Sequence, residues 1–287
     1  MPARSTDLPP HLRDFSPPFC PNPDCRFFFT THHPDWRFHR RGQCRIRRRP
    51  GLVQVFQCCH CKRYFRSSVF SGDYWKKIPG LLPKVYLLLA NGQCLRQAAR
   101  TLGVSHTTVR RAQRWLARQV LLKHLDQLQR LSWPAGERVL LDGLRTYANS
   151  QYEPLDLNTT AFAESGFLVD IRPAALRRSG AMTPRQQETR IARERRLGRP
   201  ERGVRVRRVV EMLDQLLPLV SAASRLRLDT DEEPDYARGV RKSRDKQRIR
   251  HRTTSSRRRR SYDNPLWRIN HVHRLMRHSL ANVKRET

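Results

Sequence analysis

The sequence predicts an α/β fold, because segments with the apolar pattern of strands alternate with amphipathic helical segments in its second half. Val139 to Leu141 form a short apolar run after a proline and a glycine, which is typical of a buried strand. Between Val204 and Val220 the apolar residues fall on one helical stripe, and from Arg225 to Leu228 arginine and leucine alternate as in a half-buried strand. We therefore expect the largest domain at residues 136–287, with two smaller modules before it.

The composition indicates the class of partner. With 58 Lys+Arg against 25 Asp+Glu in 287 residues, the formal net charge is +33, which favours nucleic acid over a small-molecule substrate. The longest apolar run, Val85 to Ala90, is far shorter than the roughly 20 residues that span a membrane. The N-terminal segment also lacks the apolar core of a signal peptide. We expect a cytoplasmic, nucleoid-associated protein that binds DNA, with no membrane partner and no small-molecule substrate.

The cysteines predict a zinc ribbon at residues 19–70. The sequence has seven cysteines, an odd and clustered set, which favours metal binding over disulfides in a reducing compartment. Two close pairs at opposite ends of a strand-containing segment can bind one tetrahedral Zn²⁺ of structural type. The expected zinc ligands are Cys20, Cys25, Cys58 and Cys61. Cys59 or His60 could replace one of them.

Other residues of this first part have expected roles as well. The proline-rich lead-in at residues 1–18 is expected to be disordered. Phe27 to Phe29 are expected in the small core of the module. Its arginines suit contacts with DNA phosphates, and they include Arg37, Arg40, Arg41 and Arg63.

Residues 78–131 predict a helix-turn-helix. Ala98 and Ala99 allow two helices to approach closely, Gly103 permits a left-handed turn, and Ser105 is a helix N-cap. The residues on the exposed side of the second helix suit the major groove of DNA or its phosphates. They are Ser105, His106, Thr107, Arg110, Arg111 and Arg114. A solvated, arginine-rich helix face is the alternative interpretation.

Asp142 follows the first apolar run, so we expect it at the end of that strand. There it is a candidate metal ligand, and the alternative is that it caps the following turn. Residues 159–174 contain two apolar segments around Ser165 and Gly166, which predict a hairpin. The next segment, residues 176–203, is polar and basic without apolar periodicity. We expect it to be an exposed insertion that contacts DNA, or a flexible arm.

A second predicted strand, residues 225–231, also ends in acids, Asp229 and Asp231. Neighbouring strand ends can bring carboxylates within reach of two divalent cations about 3.5 to 4 Å apart. The pattern therefore predicts a cation site formed by Asp142 and one of these two aspartates.

The last part of the chain combines a basic block with a helix. Residues 237–260 are densely basic, and alone they would be typical of a disordered arm that binds a polyanion. From Asn264 onward the apolar residues recur at helical spacing. The histidines of this helix, His271, His273 and His278, lack a convincing metal-ligand spacing and are expected to be polar or to face DNA. The arginines expected to contact phosphates are Arg257, Arg258, Arg259 and Arg260.

The order of these motifs resembles that of insertion-sequence transposases of the DDE class, from about Cys20 to the end of the chain. The resemblance is carried by CPNPDC with FQCCHCKRYF, AARTLGVSHTTVRR, LLDGLRTYANSQY, RRSGAMTPRQ, LDTDEEPDY and NPLWRINHVHRLMRHSLANVKRET. It implies an RNase H-like catalytic domain at residues 136–287, with a basic insertion at about residues 176–203. Two aspartates and a later glutamate would bind Mg²⁺ or Mn²⁺ for cleavage and transfer of DNA strands.

The resemblance assigns Asp142 as the first acid and Asp231 as the second, with Asp229 as the alternative. The third acid departs from the family pattern, because Pro265 to Asn270 contain no carboxylate. Glu286 is the expected third ligand, and Asp263 is the alternative.

The resemblance further implies that the protein binds the terminal inverted repeats of its element as a homo-oligomer. A non-catalytic DNA-binding regulator with the same zinc ribbon and helix-turn-helix is the second hypothesis. A basic protein associated with RNA is the third.

Overall fold

The computed structural model of the protein describes most of the chain and divides it into two compact units, residues 1–86 and 87–287. The described residues are 15–46, 51–74, 76–134, 136–259, 261–280 and 283. They form two β-sheets and seven α-helices, which confirms the predicted α/β class. None of these helices combines the length and apolarity of a bilayer-spanning segment.

The first unit is built on a three-stranded antiparallel sheet. Its strands are β1 (Phe38–Arg45), β2 (Leu52–Cys58) and β3 (Tyr64–Arg66), in the order β1-β2-β3. Phe27 is buried in the core, as expected, but Phe29 is 67% exposed. The prediction that all of Phe27 to Phe29 are core residues is therefore wrong, because the chain turns at Phe29 with φ +55° and directs its ring outward.

Three helices follow: α1 (Leu81–Ala90), α2 (Leu95–Thr101) and α3 (His106–Gln129). Helices α2 and α3 are joined by a tight turn in which Gly103 has φ +62°. Ser105 caps α3 by accepting a hydrogen bond from the Thr108 amide at 3.2 Å. Ala98 and Val109 are fully buried between the two helices and their surroundings.

The C-terminal part of α3 packs on the rest of the second unit. His124 Nε2 lies 3.0 Å from the carbonyl oxygen of Val169, and its ring stacks on Phe167. Leu128 packs against the main apolar core. Helices α2 and α3 therefore belong to the same compact unit as the larger sheet.

The second sheet has five strands in the order β6-β5-β4-β7-β8. They are β4 (Arg138–Tyr147), β5 (Pro154–Phe162), β6 (Leu168–Ala175), β7 (Leu226–Asp231) and β8 (Ile249–Thr254). The predicted hairpin is present as β5 and β6. Strand β4 pairs antiparallel with β5 and parallel with β7, and β8 extends the sheet parallel to β7.

Four more helices complete the unit: α4 (Pro184–Leu197), α5 (Val204–Leu216), α6 (Pro234–Lys242) and α7 (Trp267–Ser279). Helix α5 buries Val209 and Leu213 against one face of the sheet, together with Leu141 and Leu228. On the other face Ile269 of α7 packs against Leu140. Side chains alternate across a strand, so even-numbered positions of β4, including Asp142, share the α7 face.

Three expectations about local structure are corrected. Asp142 lies inside β4 rather than at its end, because β5 continues to pair with β4 as far as Tyr147. The basic segment 176–203 is exposed but contains α4, which a capping box at Thr183 and Gln186 initiates. The basic block 237–260 contains the end of α6 and strand β8, whose pairing with β7 stabilises a strand rich in arginine.

Candidate functional site

Four thiols of the first unit converge in one place, which we call the cysteine cluster (Cys20, Cys25, Cys58 and Cys61). Their sulfur atoms all lie within 4.8 Å of one another. The Cys20 and Cys61 sulfurs are 3.7 Å apart, and those of Cys25 and Cys58 are 4.0 Å apart. Ligands about 2.3 Å from a tetrahedral Zn²⁺ are roughly 3.8 Å from each other. The cysteine cluster is therefore close enough to bind a metal such as zinc, and the cysteines it contains are those expected from the sequence.

The surroundings of the cysteine cluster affect ionisation of its thiols. Burial opposes ionisation of Cys58, but hydrogen bonds from the Cys61 amide, the Trp36 indole and the His60 amide lower its pKa to about 7. The Trp36 Nε1–H donates to the Cys58 sulfur at 3.4 Å. Burial raises the pKa of Cys20. A positive ion is the group that would favour the thiolate form of all four side chains. His60 Nδ1 lies 3.8 Å from the Cys25 sulfur, just outside this set.

Asp142 and Asp231 occupy equivalent positions on adjacent strands of the second unit. The parallel pairing of β4 with β7 ends at Leu141 and Thr230, and each aspartate is the next residue of its strand. Both side chains line one open cleft. Burial raises the pKa of Asp231, and the nearby carboxylate of Asp142 adds to that increase. The structure therefore brings together the two aspartates that the sequence paired.

This cleft, which we call the acidic cleft, has a volume of about 970 Å³. Its carboxylates are Asp142, Asp156, Asp231 and Glu233. Basic side chains also line it, and they are Arg145, Arg205, Arg258, Arg274, Arg277, His273 and His278. Carboxylates surrounded by cations suit a ligand that carries both negative charge and bound metal ions, as a nucleic-acid backbone does.

Helix α7 presents His273 to the acidic cleft. This side chain is 7% exposed, and its Nδ1 lies 3.5 Å from Asp142 Oδ2. His273 was expected to be polar or to face DNA from outside the buried stripe of the helix, but it is buried, because its position one turn after Ile269 places it on that stripe. The apolar spacing of the helix could be read from the sequence, but the contact between His273 and Asp142 of β4 could not.

A buried ion network forms part of the wall of the acidic cleft, and its central residue is Arg205 of α5. Arg205 Nε lies 2.7 Å from Asp156 Oδ2, and Arg205 Nη1 lies 3.0 Å from Glu233 Oε2. The side chains of Arg205 and Asp156 are 7% and 1% exposed. Burial raises the pKa of Asp156, and the nearby Arg205 charge opposes that increase. No pattern in the sequence indicates this pair, since the two residues are far apart in the chain and each looks like an ordinary surface charge.

Asp229, the alternative second acid, lies next to two arginines instead. Its Oδ2 is 2.7 Å from Arg138 Nη1 and 2.7 Å from Arg252 Nη2. The two guanidinium groups balance the negative charge of this carboxylate, which argues against a role in binding a metal cation. The expected third acid, Glu286, lies outside the described residues. Asp263, its alternative, is exposed and does not line the acidic cleft.

The residues expected to bind DNA through α3 lie on the surface of the second unit. Ser105, His106, Thr107, Arg110, Arg111 and Arg114 are all exposed. Three arginines of the later basic block, Arg257, Arg258 and Arg259, are exposed as well, and Arg258 lines the acidic cleft. Arg260 lies outside the described residues. The accessible side chains are thus available for contact with a polyanion.

Gly143 approaches the buried Asp156 carboxylate closely, and we predict that Gly143→Ala destabilises the second unit. A methyl group at this position would lie 2.6 Å from Asp156 Oδ1, inside van der Waals contact. The buried carboxylate has little room to move, so we expect a loss of about 1 to 3 kcal/mol in the free energy of unfolding. Urea denaturation of the full chain measures the change. Unchanged stability would show that Asp156 can move without cost.

Comparison of the chain with protein-family models, with curated proteins and with solved structures finds no match. Conclusions about function therefore depend on the residues of the site themselves.

Proposed function

We propose that the protein is a DNA transposase of the DDE type, which cleaves and transfers DNA strands in a metal-dependent reaction. One observation carries the proposal: Asp142 and Asp231 directly follow the last residues that pair β4 with β7, and both line one cleft that arginines also line. The net charge of +33 supports a polyanionic substrate. In this proposal the five-stranded sheet with helices on both faces is an RNase H-like catalytic domain.

The donor atoms of the acidic cleft fit a hard divalent cation such as Mg²⁺ or Mn²⁺, which prefers carboxylate oxygens and retains several waters. Asp142 and Asp231 would hold such ions. A cation bound there would supply the positive charge that polarises a scissile phosphodiester. Arg145, Arg258 and Arg274 would orient the flanking phosphates, because a guanidinium binds phosphate oxygens in a bidentate manner.

The proposal extends to the other parts of the chain. The first unit would be a zinc ribbon, with a structural Zn²⁺ bound by the cysteine cluster. Helices α2 and α3 would act as a helix-turn-helix that recognises the terminal inverted repeats through the exposed side of α3. The protein would assemble as a homo-oligomer on DNA and reside in the cytoplasm at the nucleoid.

We predict that the protein nicks supercoiled plasmid DNA carrying the terminal inverted repeats of its element in the presence of Mg²⁺ or Mn²⁺, and that Asp142→Asn abolishes this activity. Removal of the negative charge forfeits several kcal/mol of stabilisation through the bound cation, which corresponds to about a hundredfold or more in rate. Gel analysis of the nicked product measures it. Asp126→Asn, which changes an exposed aspartate of α3, is the matched control and should retain activity. Equal activity of the Asp142→Asn variant and the wild type would refute the assigned role of Asp142.

A non-catalytic DNA-binding regulator is the second candidate function. One observation favours it: α7, the helix that faces Asp142, carries no carboxylate in its sequence WRINHVHRLMRHS. A regulator would bind DNA in the same assay without nicking it, with or without a divalent cation.

A further inference from the structure

His273 is a buried imidazole on the wall of the acidic cleft. The residue is 5% exposed and lines the cleft. Its Nε2 is enclosed and has no hydrogen-bond partner in the described residues, so Nε2 is not the nitrogen that would bind a ligand of the cleft.

The other imidazole nitrogen lies at a distance suited to sharing an ion with Asp142. His273 Nδ1 and Asp142 Oδ2 are 3.5 Å apart, too far for a strong hydrogen bond. Two ligands that each lie about 2.2 Å from one cation, at an angle of roughly 90° to 110°, are separated by about 3.1 to 3.6 Å. The observed distance falls within that range.

No other side chain of α7 offers an equally good ligand. The helix has no carboxylate, and the amide of Asn270 donates a hydrogen bond to the Leu266 carbonyl at 3.0 Å. Arg274 and Arg277 also line the cleft, but they are cations. His278 lines the cleft as well, but it is exposed, whereas His273 is buried beside Asp142. His273 is therefore the residue of this helix best suited to complete a site with Asp142.

We propose that His273 is a metal ligand, and that Asp142 and His273 together bind one divalent cation of the acidic cleft. This inference rests on the proposed function, which places cations in the same cleft. Within the described residues, the cysteine cluster is the one set of three or more metal-binding side chains whose donor atoms all lie within 4.8 Å of one another. The cleft ion would consequently be held by Asp142 and His273, with water and phosphate oxygens at its other positions and Asp231 nearby.

An imidazole in the ligand set determines which cations bind well. Mg²⁺ is held almost entirely by oxygen atoms, whereas Mn²⁺ and the later first-row metals accept imidazole nitrogen. The cleft should therefore bind Mn²⁺ more tightly than Mg²⁺. Replacement of His273 by aspartate, an oxygen ligand, should shift the preference toward Mg²⁺.

The test uses the zinc-loaded protein with Mn²⁺ as the probe. Electron spin-echo spectroscopy of bound Mn²⁺ detects a directly coordinated ¹⁴N nucleus, and titration calorimetry measures its affinity. We expect ¹⁴N coupling in the wild type and in His271→Gln, which changes a histidine of α7 that does not line the cleft. His273→Gln should lose this coupling and bind Mn²⁺ about 10- to 100-fold more weakly.

The outcomes distinguish this inference from the proposed function. Mn²⁺ binding that depends on Asp142 but shows no ¹⁴N coupling in the wild type overturns the role of His273 and leaves the cation site in place. If the wild type binds no Mn²⁺, or if Asp142→Asn binds it as tightly as the wild type, both the role of His273 and the proposed cation site at Asp142 are overturned. Where His273→Gln does not fold, His278→Gln decides the question, because His278 is the other histidine that lines the cleft in the described residues. Coupling that this variant loses belongs to His278 and overturns the role of His273, whereas coupling that it retains supports that role.

Discussion

Cys58→Ser is expected to abolish zinc binding and to unfold the first unit while the second unit stays folded. Cys58 is fully buried and belongs both to the cysteine cluster and to the small aromatic core around Phe56 and Trp36. Structural zinc sites contribute about 10 to 16 kcal/mol to the folding of small domains. A core of this size cannot replace that contribution. Loss of the zinc ion should therefore unfold the whole three-stranded sheet rather than only the end of β2, where Cys58 lies.

The measurement combines metal analysis of the purified full chain with hydrogen exchange followed by mass spectrometry. We expect one Zn²⁺ per chain in the wild type, and in Cys58→Ser no zinc and no protection of the amides of β1 to β3. Cys94→Ser is the matched control, because Cys94 is an exposed thiol outside the cluster. A Cys58→Ser protein that retains full zinc occupancy would show that Cys59 or His60 serves as the ligand.

The parts of the structure that the sequence predicted well are those with a simple apolar period. The strands that hold Asp142 and Asp231 were recognisable because in each an apolar segment is followed by an acid. This pattern lies within a few consecutive residues, so it can be read without knowing which distant residues the strand contacts. Helix α5 was equally visible, since Val204 to Val220 repeat at helical spacing. The elements that were missed lack this signal. Helix α4 buries no side chain, and strand β8 is held by pairing with β7 rather than by its own pattern.

Local start signals could have identified α4 without any apolar period. Thr183 and Gln186 form a capping box, and Pro184 is at the first position of the helix. The buried ion network is different, because Asp156 and Arg205 are far apart in sequence and each looks like an ordinary surface charge. His273 presents the same difficulty, since only the packing of α7 on the sheet shows that it faces Asp142. Pairings of this kind are properties of the tertiary structure.

Arg205→Met is expected to destabilise the second unit by about 3 to 5 kcal/mol, because it leaves the buried Asp156 carboxylate without its cation. Methionine fills a similar volume, so the cost arises from the lost charge rather than from a cavity. Urea denaturation, with hydrogen exchange of β4 and β5 to localise the effect, measures the change. Arg207→Met is the matched control on the same helix, since the Arg207 side chain is 47% exposed and its ion pairs contribute at most about 1 kcal/mol.

The destabilisation by Arg205→Met should also depend on pH. Burial already raises the pKa of Asp156, and loss of the Arg205 charge removes the main opposing influence, so the pKa rises further. A carboxyl whose pKa is higher in the folded than in the unfolded state binds its proton more tightly when folded, and folding is then favoured as the pH falls. The difference from the wild type should therefore be largest at neutral pH and shrink as Asp156 becomes protonated. Asp156→Asn in the Arg205→Met background should restore much of the lost stability at neutral pH. A deficit that is constant with pH, and that Asp156→Asn does not reduce, would show that Arg205 stabilises the unit through packing alone.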